Sequence, residues 1–385
     1  MPIPGDLSVR LILAAVLVLS ASQAGAEVIG HERGILGGDE GFFRTRNGVV
    51  VGSSVVIAAL PYARTVTCGS YTLTGTAPGG GAVTWSASPS GSSGSCTGTT
   101  SWSCVVDVDP DASGEGVEVI TVAQSGASSA QATLGFYVDG EHSCFLSQSV
   151  DGSYNSTRVN LDPVATWENL GSSALDITQA TGSAQPTFRT SIVGGQPIVR
   201  CDGGDSLAAS TAADWIFLHN GSDSTLSGIT LLSSITTSTT IAGTRTITST
   251  SSRGSLFDVT SANVARMSTS NGSGVVLAAT SAGSIFNVSV FSSFAAITDD
   301  DGGGGNDGFV FVDGASVASG ASSGGYSTND PAAPLTICSG AAASRPATGD
   351  LFRVLIYQSA LSATQRDINE AVDEWALGGS LPVTP

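Results

Sequence analysis

The amino-acid sequence predicts an all-β protein built from two sandwiches in tandem. Short runs rich in Val, Ile, Thr, Phe and Tyr alternate with clusters of Gly, Ser, Asn and Asp, a pattern typical of antiparallel strands joined by turns. The 49 glycines lie mostly in those clusters, where turns use positive φ angles. The 385 residues exceed the usual span of one hydrophobic core, so we expect two domains.

The first 26 residues have the order of a secretory signal peptide. Arg10 precedes the apolar run 11–19, and a small-residue stretch ends in Ala24-Gly25-Ala26, a typical cleavage site. The apolar run is shorter than the about 20 residues of a membrane span, although a retained anchor is the alternative. We therefore expect a secreted or cell-surface protein with no membrane span after cleavage and an N-terminal extension over residues 27–44.

The charge balance excludes some partners. The formal net charge is −18, and all 14 cationic residues are arginines. Such a chain would be repelled by nucleic acid and by anionic membrane surfaces. The acidity favours either solubility outside the cell or the binding of a divalent cation, and composition does not separate these two interpretations.

Six cysteines in an exported chain favour disulfides over metal sites, because the compartment is oxidising and the sequence contains no Cys-x-x-Cys motif. Cys96 and Cys104 flank a short Gly/Ser/Thr loop, which predicts a local bridge. Cys201 and Cys338 lie in apolar, strand-like runs and are the second expected pair. The two remaining cysteines, Cys68 and Cys144, would pair with each other or stay free.

The first region, residues 45–140, has strand-like runs at the spacing of a seven-strand sandwich. Tyr71, Leu73, Val83 and Trp85 alternate with polar residues and should face a core. The segment 105–116 combines a strand, an acidic turn and a Gly-rich strand entry, and it resembles bacterial immunoglobulin-like domains. A polar passage over residues 139–143 marks the expected boundary of this region.

The second region contains two expected hairpins and one expected helix. Residues 215–218 and 225–232 are predicted to be strands joined around the turn Asn220-Gly221, and residues 309–312 precede an Asp-Gly turn. Near the C terminus, Ser362 and Gln365 form the pattern of a capping box, and Gly378 follows as a helix stop. Ile368, Val372 and Trp375 would lie on one face of this helix and dock onto the sandwich.

Four pieces of the second region, taken in order, resemble the concanavalin A-like or laminin G-like (LamG) jelly roll. They are residues 167–169 followed by 185–187, residues 195–203, residues 309–314, and residues 352–362 continuing into the helix. The resemblance covers residues 146–381. Cys201 stands where the family usually has an aromatic residue, which supports a structural disulfide there.

The family resemblance implies a two-sheet sandwich that binds glycans or proteins, sometimes with calcium, and in some branches hydrolyses polysaccharides. Asp299, Asp301 and Asp307 on a Gly-rich loop are the candidate calcium ligands, with a mobile acidic loop as the simpler interpretation. A second acidic group, Asp107, Asp109, Asp111 and Glu118, fits a calcium loop less well, because Ala112 stands where such a loop requires Gly.

The predicted function is extracellular binding of a glycan or a protein, without catalysis. Trp167, Trp215 and Tyr326 could stack on sugars, although aromatic residues in sandwiches more often belong to the core. The sequence contains no Glu-x-Asp-x-Glu run, the arrangement common in retaining glycosidases, and none of its three histidines lies near a Gly-x-Ser-x-Gly motif. The alternatives are a structural or adhesive surface protein and, less favoured, a divergent polysaccharide-degrading enzyme.

Overall fold

A computed structural model describes residues 54–150, 154, 158–235, 237–245, 252–299, 307–340, 345–379, 381 and 382. All of them belong to one compact unit, residues 54–385. The expected signal peptide and N-terminal extension lie outside the described residues. Within the described ranges, every helix is too short or too polar to span a bilayer.

The first sandwich consists of eight described strands and one short helix. A three-stranded sheet in the order β1-β3-β6 faces a five-stranded sheet in the order β2-β8-β7-β4-β5, in which β2 and β8 run parallel. The elements are β1 Val56–Ile57, β2 Thr65–Cys68, β3 Tyr71–Thr76, β4 Val83–Ser88, β5 Ser93–Ser95, β6 Ser101–Val106, α1 Pro110–Ser113, β7 Val117–Gln124 and β8 Ala130–Tyr137.

The core of this sandwich lies between its two sheets. Tyr71, Leu73, Val83 and Trp85 are all buried there, which confirms the alternation predicted for them. In β4 the intervening residues are exposed, so the period of two divides core from solvent.

The second sandwich consists of the remaining described strands and a C-terminal helix. They are β9 Glu141–Leu146, β10 Thr166–Trp167, β11 Ile177–Thr178, β12 Thr187–Val193, β13 Gln196–Asp202, β14 Leu207–Ala209, β15 Ser224–Leu232, β16 Thr239–Gly243, β17 Gly254–Val259, β18 Ala265–Ser270, β19 Val275–Thr280, β20 Ser292–Thr298, β21 Gly308–Val312, β22 Ala315–Gly320, β23 Thr336–Ile337, β24 Thr348–Tyr357 and α2 Ala363–Leu377. We call the sheet β10-β11-β14-β23-β16-β17-β18-β19 the front sheet. The sheet β12-β13-β24-β15-β20-β21-β22, with β9 beside β24, is the back sheet.

The front and back sheets pack face to face around one large apolar core. Phe257 of the front sheet stacks on Phe294 of the back sheet, with ring centroids 4.3 Å apart. The disulfide between Cys201 in β13 and Cys338 just after β23 joins the two sheets across this core. The arrangement is the two-layer jelly roll expected from the sequence.

One predicted strand of this sandwich is wrong. The segment containing Trp215 and Phe217 forms a 3₁₀ helix, Ala213–Leu218, while the following strand β15 is present as expected. A run of four apolar residues cannot by itself separate a strand from a single helical turn. Both rings are nevertheless buried on one side, 6.4 Å apart, in the core.

The other predicted elements of the second sandwich are confirmed. Strands β21 and β22 form a hairpin around Asp313-Gly314, and both turn residues have positive φ angles, 49° and 73°. Helix α2 begins with the capping box of Ser362 and Gln365 and ends at Gly378, which adopts the left-handed conformation.

Helix α2 packs between the two sandwiches. Its residues Ile368 and Val372 lie in an apolar cluster with side chains of the back sheet and with Val66 of the first sandwich. The disulfide between Cys68 in β2 and Cys144 in β9 crosses the same junction. The two sandwiches therefore share a hydrophobic core. The first strand of the back sheet along the chain, β9, begins at Glu141, five residues before the start expected at residue 146.

Candidate functional site

The two sheets of the second sandwich differ in what covers their outer faces. The outer face of the back sheet is buried under α2, where Ile229, Leu355 and Tyr357 belong to the cluster shared with the helix. The outer face of the front sheet reaches solvent at Arg266, Ala278 and Thr280. A ligand of the second sandwich that binds a sheet face would therefore meet the front sheet.

Strand register places a polar group on that open face. Phe257 and Met267 are cross-strand partners that point into the core, so their neighbours Asp258 and Arg266, also partners, point outward. Thr240 pairs with Asp258 from the other side and shares its face. The alternation of β17 and β18 thus directs one row of side chains into the core and the other to the outer face, where Arg266 is the partly exposed residue of these two strands.

Three arginines surround a single carboxylate on this face. Arg266 binds Asp258 through two nitrogens, with Nε donating to Oδ1 at 2.8 Å and Nη2 donating to Oδ2. Arg345 donates from Nη1 to Oδ2 of Asp258 at 2.8 Å. Asp258 is fully buried, whereas the Arg266 and Arg345 side chains are 30% and 33% exposed. We call Arg245, Arg266, Arg345 and Asp258 the arginine cluster.

Among the described residues, no carboxylate forms an ion pair with the third arginine, Arg245. Its Nη2 donates to Ser268 Oγ at 2.6 Å, but its Nε is buried without a hydrogen-bond partner, and the residue is only 8% exposed. Burial lowers the pKa of Arg245 to about 10; Asp258 opposes this shift, while Arg266 and Arg345 add to it. The cluster therefore contains a desolvated cation with unused donor capacity.

Two of the three candidate calcium ligands, Asp299 and Asp307, lie within the described residues and are neighbours through their backbones. Asp301 lies outside the described residues. The Asp299 amide donates to the Asp307 carbonyl at 2.9 Å, and the Asp307 carboxylate accepts from the Ser322 amide at 2.8 Å. Over the described ranges, no group of three or more His, Cys, Asp or Glu side chains is arranged to hold a metal ion. Calcium binding stays a prediction.

The other candidate site residues from the sequence make hydrogen bonds to the backbone or pack in the core. Asp109 caps the N terminus of α1 by accepting from the Asp111 and Ala112 amides, while Glu118 accepts from the Ser90 amide. These carboxylates are thus bound to the backbone. Trp167 and Trp215 are completely buried in the core of the second sandwich, so neither presents a face to a sugar. Tyr326 is half-buried against the same core.

A concave surface lies beside the junction of the two sandwiches. It is a cleft of about 690 Å³ whose lining includes Ser70, Tyr71, Thr72 and Tyr154. The rings of Tyr71 and Tyr154 pack edge to face against each other, with centroids 5.0 Å apart, and Tyr71 is buried in the first sandwich. The cleft offers hydroxyl groups for hydrogen bonds, but its two tyrosine rings pack against each other.

The family model Laminin_G_3, described as the Concanavalin A-like lectin/glucanases superfamily, matches residues 202–365. The segment 202–365 is thus similar to that superfamily. It runs from the end of β13 to the first turn of α2, and it includes every residue of the arginine cluster. The resemblance expected from the sequence is therefore confirmed for the concanavalin A-like sandwich. No curated protein matches the chain.

The solved structures that match this chain include a module of one sialidase and another sialidase. The CBM40 of the Ruminococcus gnavus IT-sialidase, solved bound to alpha2,3 sialyllactose, has 14% sequence identity and a TM-score of 0.31. That match covers 37% of this chain and 78% of that one. The Trypanosoma rangeli sialidase has 11% identity and a TM-score of 0.36, over 63% of this chain and 34% of that one.

The sequence patterns did not predict that the members of the arginine cluster lie together. Its members lie on β17, on β18, after β16 and before β24, so up to about a hundred residues separate them along the chain. One signal was present: Arg266 stands between the apolar residues Ala265 and Met267, which indicates an outward-facing cation between two core positions. That signal did not show which other strands lie beside it.

Proposed function

We propose that this protein binds glycans without catalysis, through the open face of the front sheet. The match of residues 202–365 to a superfamily described by its lectins and glucanases supports this proposal. The observation that carries it is the difference between the two outer faces. Packing against α2 occupies the back sheet, whereas the front sheet carries exposed and half-exposed polar side chains. Sugar sites need such convergent donors and acceptors.

The state of the carboxylates supports binding rather than hydrolysis. Asp258, at the centre of the open face, is fully buried and accepts hydrogen bonds from two arginines, so it is not free to transfer a proton or attack a sugar. Burial raises the pKa of Glu141 to about 8, which would suit a general acid, but Glu141 lies beside Tyr357 in the back sheet.

A bulky side chain placed on the open face tests the proposal. Ala278 is exposed and is the cross-strand partner of Ser268, whose Oγ contacts Arg245. We expect A278W to weaken binding by tenfold or more in a glycan array followed by titration calorimetry. T84W is the matched control, because Thr84 is exposed on the first sandwich and the substitution adds the same surface tryptophan.

Three outcomes would contradict the proposal. Binding that survives A278W but is lost in T72W would move the site to the cleft between the sandwiches, which Thr72 lines. Release of reducing sugar from a bound polysaccharide would establish catalysis. Absence of binding to every glycan on the array would leave the structural or adhesive alternative.

A further inference from the structure

The arginine cluster carries more positive charge than its carboxylate can neutralise. Three guanidinium groups and one carboxylate give a formal charge of +2, in a chain whose net charge is −18. Elsewhere in the described structure, Arg200 pairs with Asp350 and Arg353 pairs with Asp373, one cation to one anion. The open face therefore holds a local excess of positive charge on an acidic protein.

The hydrogen bonding of Asp258 is nearly complete without Arg245. Its two oxygens accept three hydrogen bonds, two from Arg266 and one from Arg345. Arg245 instead uses one nitrogen on Ser268 and leaves Nε buried without a partner. A buried donor that makes no hydrogen bond costs about 1–3 kcal/mol, more when it is charged, so a further acceptor at this place would stabilise the site.

A second unpartnered group lies on the same face. Thr240 is fully buried, its Oγ1 makes no hydrogen bond, and it is the cross-strand partner of Asp258. Its backbone amide donates to the Arg345 carbonyl at 2.8 Å, which places it next to the cluster. A hydroxyl group and a guanidinium group without partners, beside two half-exposed arginines, form a donor set suited to an oxyanion.

We propose that Arg245, Arg266 and Arg345 bind an oxyanion substituent, a carboxylate or a sulfate ester, carried by the glycan ligand. Planar guanidinium groups match the paired oxygens of either substituent, and the half-exposed side chains of Arg266 and Arg345 give access from solvent. The inference rests on the proposed glycan binding and specifies its ligand as an acidic glycan. Neutral glycans would leave Arg245 and Thr240 unpaired.

Two pairs of polysaccharides would separate the effect of charge on binding from the effect of the sugar backbone. The members of each pair share a backbone and differ in charge. The carboxylate pair is polygalacturonate and its methyl-esterified form, and the sulfate pair is dextran sulfate and dextran. Binding of the full chain would be measured by biolayer interferometry at fixed ionic strength, because screening alters every charged contact. We expect the acidic member of one pair to bind at least tenfold more tightly than its neutral partner, and the pair that does so identifies the substituent.

Two substitutions test whether the arginine cluster causes the tighter binding of the acidic polysaccharide. R245M removes the surplus cation and keeps an unbranched side chain in place of the aliphatic stem of the arginine. R345Q changes a half-exposed arginine while leaving Arg266 on Asp258. Each should weaken binding to the acidic polymer roughly ten- to a hundredfold, the range for a hydrogen bond to a charged group. R189Q is the matched control, because it removes the same charge from another half-exposed arginine, which is bound to Asn160.

The possible failures are distinguishable. Equal binding of the acidic and neutral members, unchanged in R245M and R345Q, would overturn the inference and leave the proposed glycan binding intact. A loss in R189Q as large as that in R345Q would also overturn it, because the effect would then follow net charge. If no polysaccharide or array glycan binds, the proposed function fails and the inference fails with it. Melting curves of each variant show whether the fold is retained, and R345Q decides if R245M unfolds.

Discussion

Replacing Arg353 with Met should destabilise the junction of the two sandwiches. Arg353 lies in β24 and binds Asp373 of α2 through two nitrogens, one of them at 2.6 Å from Oδ1. Tyr137, at the end of β8 in the first sandwich, donates from its hydroxyl to the same carboxylate at 2.9 Å. Both charged side chains are almost completely buried. The pair thus connects the back sheet, the helix and the first sandwich.

The size of the effect follows from the burial of the pair. R353M leaves the Asp373 carboxylate without a cation in a site that water does not reach, and breaking a buried ion pair in this way costs about 3–5 kcal/mol. The double variant R353M/D373L removes both charges, so we expect it to recover more than half of that loss. R189M, at a half-exposed arginine that makes no ion pair among the described residues, should change the free energy of unfolding by less than about 0.5 kcal/mol.

Urea unfolding of the oxidised protein, followed by tryptophan fluorescence and circular dichroism together, measures these differences. Agreement of the two signals would show whether the sandwiches unfold as one unit, as their shared core requires. A loss below about 1 kcal/mol in R353M would refute the reasoning. So would a double variant that is less stable than R353M, because the two charges would then act independently.

Two further predictions concern the same junction. Burial raises the pKa of Glu141 to about 8, so the folded protein holds its proton between pH about 5 and about 8 while the unfolded chain does not. The stability of the wild type should therefore fall by about 1 kcal/mol per pH unit across this range relative to E141Q, and parallel pH profiles of the two proteins would disprove this. The bridge between Cys68 and Cys144 spans 76 residues, and the chain-entropy model assigns it about 4 kcal/mol. C68S/C144S should lose that amount in the same urea titration, and a midpoint equal to that of the wild type would show that the shared core suffices without the bridge.

The sequence predicted best what short-range patterns control. The core positions Tyr71, Leu73, Val83 and Trp85 followed from a period of two, and helix α2 followed from its capping box and its glycine stop. Two disulfides of the structure, Cys96–Cys104 and Cys201–Cys338, are the pairs expected from spacing and strand-like context. Cys68–Cys144 is one of the two outcomes that the sequence left open. For the core positions and for helix α2, the physical signal lies within a few residues of the feature that it predicts.

The error at Trp215 and the missed arginine cluster have a common cause. Whether an apolar run of four residues forms a strand or a helical turn depends on the partner beside it, and here the neighbouring strand β15 pairs with β20 and β24 instead. The arginines likewise come together only because β16, β17, β18 and the segment before β24 are neighbours in space. Long-range strand pairing is not encoded in local sequence patterns.

By itself, the sequence determined that this protein is built of sandwiches, where its cores lie and how its last helix begins and ends, because these depend on alternation, turn chemistry and capping. The tertiary structure decided that α2 covers the back sheet, that the two sandwiches share a core, and that three arginines surround Asp258 on the open face. Packing and strand order set these features, since each requires side chains far apart in the chain to meet.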